Sequence, residues 1–548
     1  MSFLLVTMLL SVLRGYIFDM IFWPQMIPFE LSFQVDGISI ILAILVFVLW
    51  IFVFIYSISY IKTNFVRYYS LLLLVLGSVQ DTIFAGDLVN FYVFLEITTI
   101  ATYFLITHNQ DSRALKAGYK YLLMLLGGAF LILLSILFVY KDTGNYNMSS
   151  VISCGDILVP TLFLAGCFLK AGAVPLHIWL PDAHPAAPTP ISAFLSGIMI
   201  KIGAYGIIRV LFPFIGFAIP IINVGNLLSV IVISVAMLSM FTGVFLALIQ
   251  TDVKKLLAYH SISQIGYILF GIGLGTRIGL SGGLYHIINH AIFKGLLFLS
   301  MGAVIYRIGS KNINKMGGLW RKMPITTIVS IIAALSISGI PPFNGFASKM
   351  LLGKAAGEFS TIFKYLLTIA SAFTFASFFK LIKYAFFGKA KKDLDLVKEV
   401  PLLMLIPMIS LSCLCIFLGL GADFIMNKLI PLAFNEPASY LMYGDIVFWT
   451  GNLFFDTFLT VVLGLLLYFM AYKMGLIGKK EQPTIYLGSM GKWVNCVCPD
   501  SLFCISASIV KIICQKLNSI YSRDLNMHLS WIPLTLLIMY LIVFLNIF

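Results

Sequence analysis

From residue 37 to residue 60 the chain reads GISIILAILVFVLWIFVFIYSISY, with no Asp, Glu, Lys or Arg anywhere in it. A helix rises 1.5 Å per residue and needs about 20 apolar residues to cross about 30 Å of hydrocarbon, so a run like this is long enough to span a membrane. Runs of the same kind recur near 3–23, 69–86, 88–107, 119–140, 157–176, 191–212, 226–250, 257–275, 282–305, 325–343, 360–387, 401–420, 450–472 and 529–547. Only 11% of the 548 residues are charged and 60% are apolar, with a mean hydropathy of +1.02. A soluble domain carries about 25% charged residues, and a soluble globular fold is therefore excluded. Barrel strands alternate polar and apolar over about 10 residues, whereas these runs are continuous, so a β-barrel is excluded too. The expected fold is all-α and polytopic, with about 14–15 transmembrane helices.

The formal net charge is +14. With the N-terminus placed in the cytoplasm, the loops on that side (61–69, 108–120, 251–256, 306–323, 388–400 and 473–528) hold 23 of the 36 Lys and Arg, and about five lie on the other side. The charge is thus explained by topology and leaves nothing for a nucleic-acid partner to explain. No small-residue cleavage site follows the first apolar stretch, so 3–23 counts as a span. The eight cysteines lie mostly in apolar runs, and Cys496-Val-Cys498 lacks the spacing of a zinc or redox pair. No Gly-rich phosphate loop or dinucleotide fingerprint is present, and the chain is expected to bind no cofactor of its own.

Ionisable residues at membrane depth cost about 2.5–3.5 kcal/mol each on the mildest scale and mark function by default. Glu96 is one of six glutamates and sits inside VNFYVFLEITTIATYFL. Lys170 lies five residues before Pro175, which cannot donate to the carbonyl of Ala171; the helix is expected to break just past the lysine. Lys201 falls in the middle of the next span. Further on, His286, His290 and Lys294 are spaced i, i+4, i+8 and share one helix face. Two histidines four apart lack the Glu of H-E-x-x-H and any nearby carboxylate, so a hydrogen-bonded stripe is expected rather than a metal site. Pro341 and Pro342 break a second helix, and Lys349 follows; His260 stands beside Ser261, Ser263 and Gln264. Lys254 and Lys255 read as orientation charges at the end of a span, and Lys380 and Lys383 lie near the end of theirs. A proline-broken helix with a lysine beside it occurs in each half, which predicts two inverted five-helix repeats, at 69–212 and 226–387. Residues 1–68 supply N-terminal helices, and 388–548 supply C-terminal helices, a basic stretch amphipathic over 501–520, and a final anchor.

Several long stretches, LKAGAVPLHIWLPDAHPAAPTPISAFLSGIMIKIGAYGIIR, QTDVKKLLAYHSISQIGYILFGIG, HIINHAIFKGLLFLSMGAV and GIPPFNGFASKMLL, occur in that order. They closely resemble the antiporter-like subunits of respiratory complex I, of membrane-bound hydrogenases and of multisubunit Mrp-type Na+/H+ antiporters, from about residue 37 to 390. The resemblance implies that Glu96 is the family's intramembrane glutamate, Lys170 its broken-helix lysine, Lys201 the lysine of the following helix, Lys294 the central lysine and Lys349 the terminal one. It also implies a prokaryotic cell-membrane subunit that moves H+, with Na+ left open. Other membrane subunits are implied as partners, among them a second antiporter-like subunit, and so is a peripheral iron–sulfur redox arm, although an antiporter without redox partners remains the alternative. The tail is similar in outline to the lateral helix and anchor of the largest complex I member.

Overall fold

The computed structural model describes residues 18–22, 31–154, 156–211, 224–389, 394, 396–434, 448 and 451–477. The expected last span 529–547, the amphipathic stretch 501–520 and Cys496, Cys498, Cys504 and Cys514 lie outside the described residues. So do residues 3–17 of the first expected span. Its end is not helical: Phe18–Phe22 is a strand, β1, paired antiparallel with β2 (Leu31–Val35), so the expectation of a continuous helix through residue 23 is corrected. A short apolar run is ambiguous between strand and helix, and here the partner strand decides it.

The rest is helical. In chain order the main helices are α1 (Gly37–Tyr60), α2 (Phe65–Phe84), α3 (Leu88–Ile106), α4 (Ser112–Thr143), α5 (Leu158–Ala171), α6 (Leu180–Ala186), α7 (Thr189–Val210), α8 (Val224–Ile249) and α9 (Val253–Gly273). They are followed by α10 (Arg277–Ile308), α11 (Pro324–Ser338), α12 (Asn344–Phe359), α13 (Thr361–Ala385), α14 (Leu402–Leu420) and α15 (Gly451–Lys473). Among the described residues ten helices are long and apolar enough to cross a membrane, with α5 and α11 as shorter apolar helices. The chain is an all-α polytopic integral membrane protein.

Five helix starts carry acidic or hydroxyl caps that satisfy amide groups hydrocarbon would leave bare. Asp36 forms a reciprocal capping box with Ser39 at α1; Asp87, Asp111, Asp252 and Thr276 accept from first-turn amides of α3, α4, α9 and α10. Local features recur in the two halves. α3 and α9 each begin at an aspartate bridged to an asparagine beyond the next long helix, Asp87 to Asn147 and Asp252 to Asn312. The intervening helices α4 and α10 are both 32 residues long and end at Gly144 and Gly309, each with φ of 71°.

The two breaks also share a pattern. α5 ends at Gly172 (φ 67°) and α11 at Gly339 (φ 77°), each in the left-handed conformation that glycine adopts without a Cβ penalty. In each case the next two amides fold back: Gly172 and Ala173 donate to Leu169 and Phe168, and Gly339 and Ile340 to Ser336 and Leu335. Pro175 and the Pro341–Pro342 pair follow and prevent resumption of the helix. Over their apolar windows α7 and α9 are 94% buried and α10 is 83% buried, and Lys201, His260, His286, His290 and Lys294 face protein and not lipid.

Candidate ion-translocation site

The first break positions Lys170 in the last turn of α5, opposite the middle of α3. Its Nζ donates to Glu96 Oε1 at 2.5 Å and to Thr99 Oγ1 at 2.8 Å. Glu96 and Thr99 are three apart and so lie on one face of α3. The paired side chains are 4% and 13% exposed, and Glu96 lies near the middle of the 19 residues of α3, away from both ends of that span. Glu96 Oε2 is buried with no protein partner among the described residues. Beside the pair is a cavity of about 20 Å³ lined by Thr99, Tyr121, Lys170, Trp179, Met199 and Ile202 among others. One water needs about 10–15 Å³ of this kind of space, so a single molecule fits between Lys170 and the stretch of α7 that bears Lys201.

Lys201 follows a π-helical turn, Leu195–Met199, a widened turn common at functional sites. Its Nζ donates to the Ser196 carbonyl at 2.5 Å. Ser196 Oγ lies 2.7 Å from Ser261 Oγ on α9, which donates to the Leu257 carbonyl at 3.1 Å; that same carbonyl accepts from Lys294 Nζ of α10 at 2.6 Å. Lys201 and Lys294 are thus linked through Ser196, Ser261 and the Leu257 carbonyl, with the Ser196 carbonyl as the second backbone acceptor; all four residues and Leu257 are buried. Lys294 also lies 5.6 Å from the centre of the Phe298 ring, a cation–π contact.

One turn back on α10, His290 is fully buried, and neither ring nitrogen has a partner among the described residues. Its ring lies parallel to that of His286, with centroids 6.2 Å apart. His286 bonds Gln264 Oε1 at 3.0 Å and Ser348 Oγ at 2.9 Å, and the residue after Ser348 is Lys349. Lys349 Nζ donates to the Ile337 carbonyl at 2.8 Å, one of the last carbonyls of α11, and sits 4.8 Å from the centre of the Tyr267 ring. The structure therefore brings Glu96 to Lys170, Lys201 to Lys294, and His286 to the segment bearing Lys349. Among the described residues, hydrogen bonds do not join Lys170 to Lys201, nor His290 to either neighbour on the stripe. His260 points elsewhere: its Nε2 bonds Ser377 on α13 at 2.8 Å.

Several residues were missed or misread. Lys254 is 2% exposed and donates to the Ala187 carbonyl at 2.8 Å and to Ser192 Oγ at 3.3 Å, so it is a core group and not an orientation charge. His184, on α6, is fully buried against Phe298, and neither ring nitrogen has a partner among the described residues. Lys380 donates to the carbonyls of Leu248 and Gln250 at 2.5 and 2.8 Å. Arg209 pairs with the α1 cap Asp36 and donates to Gln34. Backbone carbonyls are both partners of Lys380 and the nearer partner of Lys254, and these carry no side-chain signature.

A family model described as NADH:quinone oxidoreductase/Mrp antiporter, transmembrane, matches residues 85–374, which contain every one of these lysines from Lys170 to Lys349. The chain belongs to this family. It is 30% identical over 462 residues to "Hydrogenase-4 component B" of Escherichia coli (strain K12), covering 76% of this chain and 67% of that one. It is 30% identical over 428 residues to an Na(+)/H(+) antiporter component of Alkalihalophilus pseudofirmus, covering 76% of this chain and 85% of that one. A chain in the structure of the membrane-bound sulfane sulfur reductase, an archaeal respiratory membrane complex, aligns with a TM-score of 0.79 and 28% identity, covering 98% of this chain and 93% of that one.

Proposed function

We propose that this chain is a proton-translocating membrane subunit of a redox-driven multisubunit complex. The observation that carries the reading is the buried Lys170–Glu96 pair at a helix break, with Lys201 bonded through to Lys294 behind it and Lys349 at the second break. Such charges are costly in a membrane and are retained where ions move. Glu96 holds Lys170 by a hydrogen bond; separating the pair frees Lys170 to pass a proton towards Lys201 through the small cavity. Removing one partner of a buried pair costs about 3–5 kcal/mol. Moving a unit charge against about 150–200 mV costs about 3.5–4.6 kcal/mol, so the switch has the size the task needs. The charge then passes along Lys201, Lys294 and the His290–His286 stripe to Lys349, and repulsion between protonated lysines drives the next release.

In this reading 69–212 and 226–387 are two repeats of inverted topology, supported by the recurring aspartate bridges and glycine-ended helices. The N-terminus faces the cytoplasm, the chain binds no cofactor, and its partners are other membrane subunits, a second antiporter-like subunit and an iron–sulfur arm. The extent of the alignment with the sulfane reductase chain, 98% of this chain, favours a redox-linked assembly. Exchange of Na+ for H+ without redox partners is the second reading, favoured by the match to the antiporter relative, 85% of which is covered. The test is purification in mild detergent at native expression, with mass spectrometry of the co-purifying chains. Subunits bearing iron–sulfur centres are expected; small membrane subunits alone would replace the first reading with the second.

A further inference from the structure

Lys349 does not end in packed protein. Beside it is a cavity of about 650 Å³, many times the about 10–15 Å³ of this kind of space that one water needs. Lys349, Tyr267 and Ser338 line its deep end, and Glu358, Lys364 and Asp456 line the other. Lys364 Nζ lies 3.4 Å from Asp456 Oδ2, with both side chains about half exposed, at 46% and 49%. The pair ties the start of α13 to α15. α15 lies beyond residues 85–374, the stretch that matches the family model, so one member of the pair lies outside that stretch. With the loop 388–400 and its four lysines taken as cytoplasmic, the Lys364 end of α13 lies at the opposite face. The wall also contains Gly353, where an added Cβ meets nothing within 4 Å, so its face of α12 is open space.

We infer that this cavity is the outer vestibule of the ion path at Lys349, and that the Lys364–Asp456 pair is its gate. The inference rests on the translocation reading for what passes through and on the geometry for the gate itself. A pair this exposed contributes about 0.2–1 kcal/mol, so it opens and closes readily, and removing it raises the open fraction by about 1.4- to 5-fold.

The test uses the full complex in native membranes. Gly353→Cys, with Thr460→Cys on the α15 wall as a second position, is exposed to a membrane-impermeant cationic thiol reagent. The reagent is applied from the outer face of right-side-out vesicles and, separately, to inside-out vesicles. Labelling above that of the chain's own eight cysteines is expected only from the outer face, and about 1.4- to 5-fold faster when Asp456→Asn is added. Labelling from the inner face only, from neither face at both positions, or at a rate that Asp456→Asn does not move would overturn the inference. Gly353→Leu, which fills the open space, is expected to slow ion transport several-fold with assembly intact. If wild-type vesicles move no ions while labelling still obeys the gate, the translocation reading fails and the vestibule stands.

Discussion

Replacing Glu96 with Gln keeps the shape of the side chain and removes its charge, which isolates what the carboxylate does for Lys170. In the wild type the ammonium has two partners, Glu96 Oε1 at 2.5 Å and Thr99 Oγ1 at 2.8 Å, in a site where the lysine is 4% exposed. In the variant the hydroxyl and a neutral amide remain. Breaking a buried pair from one side costs about 3–5 kcal/mol, a factor of about 10² to 4 × 10³ in the equilibrium that holds the ammonium in this site. The driving force across the membrane is of the same size and cannot offset that loss as well as do its own work. Proton uptake into inside-out vesicles containing the assembled complex, followed with a pH-sensitive dye, should fall by at least about 100-fold, and Glu96→Asp should retain part of the rate. Wild-type uptake in an assembled Glu96→Gln complex would refute the reasoning, because the pair would then be structural.

Arg209→Met leaves Asp36 buried without its cation, and thermal unfolding in detergent should show a loss of about 3–5 kcal/mol; Arg209→Met with Asp36→Asn should lose less than Arg209→Met alone, since Asn still caps α1. Lys254→Met should destabilise by about 1–3 kcal/mol through the donors lost to Ala187 and Ser192, while topology reporters flanking α9 stay unchanged, which separates a core role from an orientation role. Lys311, in the loop after α10, donates to the Pro185 carbonyl, and burial holds its ammonium below the usual lysine range. The unfolded chain therefore binds more protons than the folded one between the lowered and ordinary values, and stability should rise with pH across that alkaline window; Lys311→Met should flatten this slope in melts recorded against pH.

Much of the architecture is legible because hydrocarbon imposes one rule on every span. The run at 37–60 is α1 to the residue, and the spans read at 88–107 and 401–420 shift by a residue or so. Lys170 beside Pro175 announces the break, and Glu96 announces itself by rarity. What escapes the sequence is whatever depends on backbone. The π turn at Leu195–Met199 has no side-chain pattern, yet the Ser196 carbonyl within it is the partner of Lys201. Lys254, in a Lys-Lys pair at a helix start, looks like a topology signal until α6 and α7 fold over it. The strand at Phe18–Phe22 depends on a partner beyond Pro24 and Pro28.

The central claim is that the buried lysines form one route for charge, and Lys294 is its middle link. It is fully buried, held by the Leu257 carbonyl, and the only described bonds from Lys201 towards α10 run through that carbonyl. The direct measurement is proton uptake by vesicles carrying the assembled complex with Lys294→Met, which keeps the apolar stem and removes the charge. Uptake abolished with assembly intact is predicted; uptake at the wild-type rate would contradict the account.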